Sequence, residues 1–162
     1  MKLKKGDKLP SGEIFYLDDS KKVKKIDICL LLKNQKVIIF GLPGAFTAVC
    51  SAKHLPGFVN NFEKAKEKGV RKIICISVND PFVMKAWGES HNVKDKILMV
   101  GDPFCKFIKE IGADVDKSEK GLGFRSSRFT MLIENGIVKK IEEEKDTASC
   151  EVTAAENFLE NI

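Results

Sequence analysis

Gly41-Leu42-Pro43-Gly44-Ala45-Phe46-Thr47-Ala48-Val49-Cys50-Ser51 joins a short apolar run, Lys36-Val37-Ile38-Ile39-Phe40-Gly41, to a long segment with helical periodicity. The run has the pattern of a strand buried on both faces. In an α/β domain, the carboxyl end of such a strand is where ligands are held. Two glycines and a proline suggest a phosphate loop, but no Gly-Lys-Ser/Thr follows, which excludes a P-loop. What the segment does offer is a cysteine in the first turn of a helix. With Thr47 as N-cap, Cys50 is N3, where free backbone N–H groups and the positive dipole end favour a thiolate. The plain alternative is a cysteine filling space in the core, with the Thr47 hydroxyl accepting the Cys50 N–H as an ordinary cap.

Outward from this stretch, strands and helices alternate. Arg71 to Val78 and Ile97 to Val100 repeat the apolar pattern, and Arg128–Glu134 with Ile137–Glu142 flank Asn135-Gly136, a strong hairpin signal. From Ala48 to Lys68, Leu55, Phe58, Val59, Phe62 and Ala65 recur at helical steps, with a kink expected at Pro56 and a stop at Gly69. Pro81 to Ser90, Pro103 to Ile111 and Val152 to Asn161 read as further helices, the first two opening on a proline near N1. The expected fold is a three-layer α/β sandwich with a central mixed sheet, formed as a single domain over residues 1–162.

Composition narrows the function classes. The 162 residues are 43% hydrophobic and 31% charged, an ordinary globular balance. No apolar run reaches the roughly 18 residues of a membrane span, so no membrane role is expected. The opening Met1-Lys2-Leu3-Lys4-Lys5 lacks the apolar core of a signal peptide, which points to a cytoplasmic chain, although a removed transit peptide would leave no trace. Net charge is +5, with ten Lys against five acids in residues 1–36 and three Lys against eight acids in residues 134–162. No aromatic residues interleave Lys21-Lys22-Val23-Lys24-Lys25, so a solvated face is favoured over a nucleic-acid patch. Cys29, Cys50, Cys75, Cys105 and Cys150 form no C-x-x-C pair, which removes the dithiol motif and the zinc knuckles. Free thiols in a reducing compartment are expected.

Two histidines and two arginines remain to be weighed. His54 lies four positions after Cys50 on one helical face, but a dyad on one helix flanks a substrate carbonyl poorly, so a structural histidine is favoured over a cysteine hydrolase. His91 reads as solvated. Arg128 alternates with Thr130 and Leu132 on one strand face, while Phe129, Met131 and Ile133 take the other. An arginine entering an apolar strand needs an anion or an outlet to water. It is either a strand-end residue reaching solvent or a guanidinium delivered to a thiolate, with Arg125 a weaker competitor for that role.

Pro43-x-x-x-Thr47-x-x-Cys50 resembles the active-site motif of the peroxiredoxins. With His54-Leu55-Pro56-Gly57-Phe58, Cys75-Ile76-Ser77-Val78-Asn79-Asp80-Pro81 and Gly121-Leu122-Gly123-Phe124-Arg125-Ser126-Ser127-Arg128, the whole chain is similar to the type II, or atypical, branch. One departure is Ala48-Val49 where the family has Pro-Thr. The resemblance implies a thioredoxin-like fold and a thiol peroxidase without metal, haem or flavin. It implies that Cys50 attacks the hydroperoxide, Thr47 hydrogen-bonds thiolate and peroxide, Pro43 shields the pocket, and Arg128 stabilises the thiolate and polarises the O–O bond. It also implies a homodimer, to which Phe46, Phe82 and Trp87 are the sequence's contribution, and recycling by glutathione with glutaredoxin or by thioredoxin. Cys75 matches the second cysteine of plant-like members and Cys150 the resolving cysteine of animal-like ones. Each also has a plain reading, Cys75 as a core strand residue and Cys150 as a residue before the last helix in a mobile acidic stretch. An external thiol is expected to attack Cys50 directly, with either internal disulfide a minority route. A redox sensor or holdase using the same Cys50 switch is the rival reading.

Overall fold

The computed structural model describes all residues 1–162. Seven strands form one mixed sheet. Its centre is β3 (Lys36–Gly41), β4 (Lys72–Ser77) and β5 (Leu98–Gly101), all parallel. The hairpin of β8 (Phe129–Glu134) and β9 (Ile137–Glu143) adds antiparallel beside β3. Asn135 and Gly136, both at positive φ, make the tight turn between them, as the dipeptide predicted. On the far edge, β1 (Glu13–Leu17) and β2 (Val23–Asp27) form a second hairpin, with β1 antiparallel to β5. A separate small ribbon pairs β6 (Asp114–Asp116) with β7 (Phe124–Ser126).

The strands at the centre are buried on both faces, so their side chains feed two cores. Ile38, Phe40, Cys75 and Leu132 face a cluster with Cys50, Leu55, Phe58, Met84, Trp87 and Phe158. Those partners come from α1 (Leu55–Asn60), α3 (Pro81–Ser90), α5 (Ala155–Glu160) and the turn before α1. Val37, Ile39, Ile74, Ile76, Met131 and Ile133 face the other cluster, closed by Phe107 and Ile108 of α4 (Lys106–Glu110) and by Leu9, Ile14 and Ile28. The expected three layers around a mixed sheet are therefore present.

Helix α3 spans the predicted Pro81–Ser90, with Asp80 as N-cap accepting the Val83 N–H. Other boundaries moved. The segment expected as one helix from Ala48 to Lys68 is a wide π-type turn over Cys50–His54, then α1, then α2 (Phe62–Glu67) after a break at Asn61. Pro56 explains the wide turn, because it has no N–H for the carbonyl four residues back and its ring crowds that carbonyl. The Leu55 N–H bonds instead to Cys50 O, one residue further. The helix expected from Pro103 begins only at Lys106. Cys105 before it is left-handed, and the buried Asp102 carboxylate accepts the N–H groups of Lys106 and Ile108. Burial raises the Asp102 pKa, and those N–H groups oppose the rise. The last helix is likewise shorter than the expected Val152–Asn161.

Candidate active site

β3 ends at Gly41, opposite Phe129 at the start of β8. A Cβ on Gly41 would lie 2.2 Å from the Phe129 ring, so glycine is required for the strand to pass that ring. The chain then runs through Leu42, Pro43 and Gly44, all buried, and turns at Phe46, a non-glycine residue at positive φ. It re-enters the core at Cys50, whose sulfur is fully buried. Arg128 immediately precedes β8, so the same strand pairing that places Phe129 against Gly41 brings Arg128 alongside this loop.

The two readings of Arg128 are separated by its burial. Arg128 is 1% exposed and does not reach solvent. Its Nη2 donates to Cys50 Sγ at 3.4 Å and to Thr147 O at 2.7 Å, while Nε donates to Thr147 O at 3.3 Å. Its Nη1 lies 3.2 Å from His54 Nδ1. No carboxylate lies within ion-pair distance of the guanidinium. The Glu144 carboxylate feels the Arg128 charge from beyond that distance, and a buried cation without a direct ion-pair partner costs several kcal/mol. Among the groups it touches, the Cys50 sulfur is the one that can become negative.

His54 is fully buried, and its tautomer follows from its neighbours. A guanidinium only donates, so Nδ1 accepts from Arg128 and the ring proton sits on Nε2. Nε2 donates to Thr130 Oγ1 at 3.3 Å, and Thr130 Oγ1 donates to Thr153 O at 2.8 Å. Burial, followed by the adjacent Arg128 charge, lowers the His54 pKa to about 3. A ring with both nitrogens engaged and so little basicity near neutral pH is no general base, which removes the cysteine-hydrolase reading. His91 is half-buried, its ring edge-on to Trp87, rather than freely solvated.

Thr47 does not cap the helix through the Cys50 N–H. Its hydroxyl donates to Gly44 O at 2.8 Å, while its carbonyl accepts the Ser51 N–H. Pro43 is buried, and its carbonyl accepts from Arg125 Nη1 at 3.4 Å. Arg125 therefore touches the loop and not the Cys50 sulfur. Ser51, one position after the cysteine, accepts the Trp87 indole N–H at 3.0 Å. Trp87 is fully buried and thus belongs to the core, not to an exposed face.

The remaining cysteines are all unpaired. Cys75 is fully buried in the centre of β4, opposite Phe40 and Met99, and burial pushes its pKa well above the ordinary thiol value. Cys150 is also buried, and the stretch around it is pinned, contrary to the mobile segment expected there. The Glu144 carboxylate accepts the N–H groups of Glu151 and Thr153 and the Thr153 hydroxyl. Burial raises the Cys150 pKa, with the Arg128 charge opposing it. No three His, Cys, Asp or Glu side chains lie close enough together to hold a metal ion.

Sequence reasoning missed the carbonyl of Thr147 and the Thr130–Thr153 relay behind His54. Backbone acceptors leave no mark in residue identity, so no signal in the sequence pointed to them.

The redoxin family model matches residues 4–159. Peroxiredoxin-2D of Arabidopsis thaliana is 38% identical over 157 residues, covering 97% of this chain and 96% of that one. Peroxiredoxin-2C of rice is 45% identical over 130 residues, 80% of each chain. Among solved structures, reduced Prx3 of Vibrio vulnificus in complex with hydrogen peroxide superposes with a TM-score of 0.92 at 38% identity, covering 98% of both chains. With the loop, the buried arginine and these relatives together, the chain belongs to the redoxin family as a peroxiredoxin, a thiol peroxidase of thioredoxin-like fold.

Proposed function

We propose that Cys50 is the residue that reduces the peroxide. The observation that carries this is the buried Arg128, without a carboxylate partner, donating to the Cys50 sulfur at 3.4 Å. The Cys50 thiolate attacks the distal oxygen of a hydroperoxide, a new S–O bond forms as the O–O bond breaks, and the leaving alkoxide or hydroxide takes up a proton. Cysteine sulfenic acid and an alcohol or water result. Arg128 stabilises the charge as it moves to the leaving oxygen. The Thr47 hydroxyl has committed its proton to Gly44 O, so its oxygen is left as an acceptor suited to the O–H of the incoming hydroperoxide. Pro43, buried against the same loop, keeps bulk water from the sulfenic acid.

Recycling by an external thiol is the reading best supported. Cys75 is fixed in a central strand, and burial, with the nearby Cys50 sulfur adding to it, raises its pKa and makes it a poor nucleophile. Cys150 sits in a pinned stretch. Glutathione, with glutaredoxin completing the cycle, attacks the sulfenic acid to give a mixed disulfide and water, and thioredoxin is the alternative reductant. A Cys75→Ala, Cys150→Ser double variant supplied with glutathione and glutaredoxin is expected to sustain turnover. Stalling after one equivalent of peroxide contradicts the external route, and stalling of the wild type too favours a redox sensor over a peroxidase.

Two further elements complete the proposal. Phe46 and Phe82 are 60% and 59% exposed, which supports a homodimer packed near the active-site loop. Sedimentation at the monomer mass at micromolar concentration contradicts it. No helix is long and apolar enough to cross a membrane. The five unpaired cysteines fit the reducing cytoplasm, where the glutathione route operates.

A further inference from the structure

Arg125 is left over by the chemistry above, yet it is held at the active-site loop. In β7, across from Val115, its side chain is half-buried. Nε donates to Leu122 O at 2.8 Å and Nη1 to Pro43 O at 3.4 Å. A Cβ built on Gly44 would lie 3.0 Å from Arg125 Nη1 and 3.2 Å from Thr47 Cγ2. The guanidinium and the Thr47 side chain are thus separated by no more than the sum of those two distances, across the bare face of Gly44.

The charge on Arg125 has no counter-ion. None of the ion pairs of the molecule includes it. The other polar group near Gly44 is Asn79, whose Oδ1 already accepts the Ala45 N–H and the Ser77 hydroxyl. Two carbonyls take one N–H each from the Arg125 fork and fix its plane, leaving Nη2 without a hydrogen-bond partner. A guanidinium held this way binds a planar anion with little further ordering. Arg128 cannot serve, since it is buried and spread over Thr147, His54 and Cys50.

We propose that Arg125 is a specificity-determining residue that binds a carboxylate carried by a reagent approaching Cys50. The inference rests on the peroxidase reading and deepens it. The reagents that must come to this loop are a hydroperoxide and a thiol, and a carboxylate on either would meet the free edge of the fork. Gly44 leaves room for the guanidinium here, since a side chain there would press on both Arg125 Nη1 and Thr47 Cγ2.

The test compares anionic and neutral reagents of equal reactivity in the wild type, Arg125→Gln and Arg125→Lys. In one arm, 4-carboxycumene hydroperoxide is compared with cumene hydroperoxide in the oxidation of Cys50. In the other, glutathione is compared with its diethyl ester in the reduction of the sulfenic acid. Arg125→Gln is expected to lower the anionic-to-neutral rate ratio about tenfold in at least one arm, through KM rather than kcat. Arg125→Lys is expected to recover part of it, and added salt to lower it in the wild type. The arm that responds identifies which reagent supplies the carboxylate. Ratios unchanged by Arg125→Gln in both arms, in a chain that still reduces cumene hydroperoxide, overturn the role of Arg125 alone. A wild type inert toward cumene hydroperoxide overturns the peroxidase reading and this inference with it.

Discussion

Cys50 and Cys75 occupy the same apolar cluster, and neither has any exposed surface. Cys75 stands in the middle of a central strand, paired with Phe40 on one side and Met99 on the other. Burial drives its pKa up, the nearby Cys50 sulfur adds to the rise, and no cation offsets either. Cys50 stands where the chain leaves the sheet, in a turn widened by Pro56, with a guanidinium N–H directed at its sulfur. Burial makes a cysteine inert when nothing polar is buried with it. Bury a cation and its acceptors alongside, and the same exclusion of water strengthens the interaction of that cation with a thiolate.

The sharpest way to break this comparison is to exchange the sulfur. Cys50→Ser is expected to abolish the oxidation of the protein by one equivalent of hydroperoxide, while Cys75→Ala leaves that step in place. Stopped-flow mixing with hydrogen peroxide reads both, and rapid consumption by Cys50→Ser would move the chemistry elsewhere.

Removing the cation should have the next largest effect. Arg128→Ala is expected to slow the same step about a hundredfold, the usual loss for one donor aimed at developing charge. Arg128→Lys should recover little, because one ammonium cannot meet Thr147, His54 and Cys50 together. A near-normal rate in Arg128→Ala would mean that burial without a cation suffices, and the contrast with Cys75 would fail.

His54 sharpens the comparison through pH. Its folded pKa of about 3 lies below the ordinary histidine value, so the unfolded chain binds the extra proton first as pH falls. The neutral ring contributes stability that is fully present above about pH 6.5 and is lost progressively down to about pH 3. The slope within that window approaches 1.4 kcal/mol per pH unit. Urea unfolding of His54→Gln across the window should lose that share of the slope. An unchanged slope would show that His54 is not the buried neutral acceptor of Arg128.

The smallest expected effect concerns Cys75 as a packing residue. Cys75→Ser, which places a hydroxyl among isoleucines, is expected to lower stability by about 1–3 kcal/mol without changing which thiol is oxidised. A variant as stable as the wild type would show a polar outlet at β4 that the fold does not provide.

How much of this was legible in the sequence depended on where each partner lies along the chain. The central strands were, because residues buried on both faces form apolar runs. Helix α3 was, because Asp80 and Pro81 carry its start in their own chemistry. The β1–β2 hairpin left no clear pattern, since β2 lies at a sheet edge with Val23, Lys24 and Lys25 exposed. The wide turn at Cys50 was masked by good helical spacing on either side of Pro56. At the site, Cys50 at a helix start and Arg128 in an apolar strand stood out by residue type and position, while Pro43 and Thr47 gained roles only through the resemblance of the motif. Nothing in the sequence told that Arg128 is sealed from water, because that depends on Thr147 O and His54, 19 and 74 positions away.

The central claim is that a buried cation singles out one thiol among five. Sulfenic acid formed by a substoichiometric pulse of hydrogen peroxide can be trapped with dimedone and located by peptide mass spectrometry, in the wild type and in Arg128→Ala. The account predicts label on Cys50 alone in the wild type and a large loss of Cys50 label in the variant. Label spread over Cys50, Cys75 and Cys150, or Cys50 labelled equally well without Arg128, would contradict it.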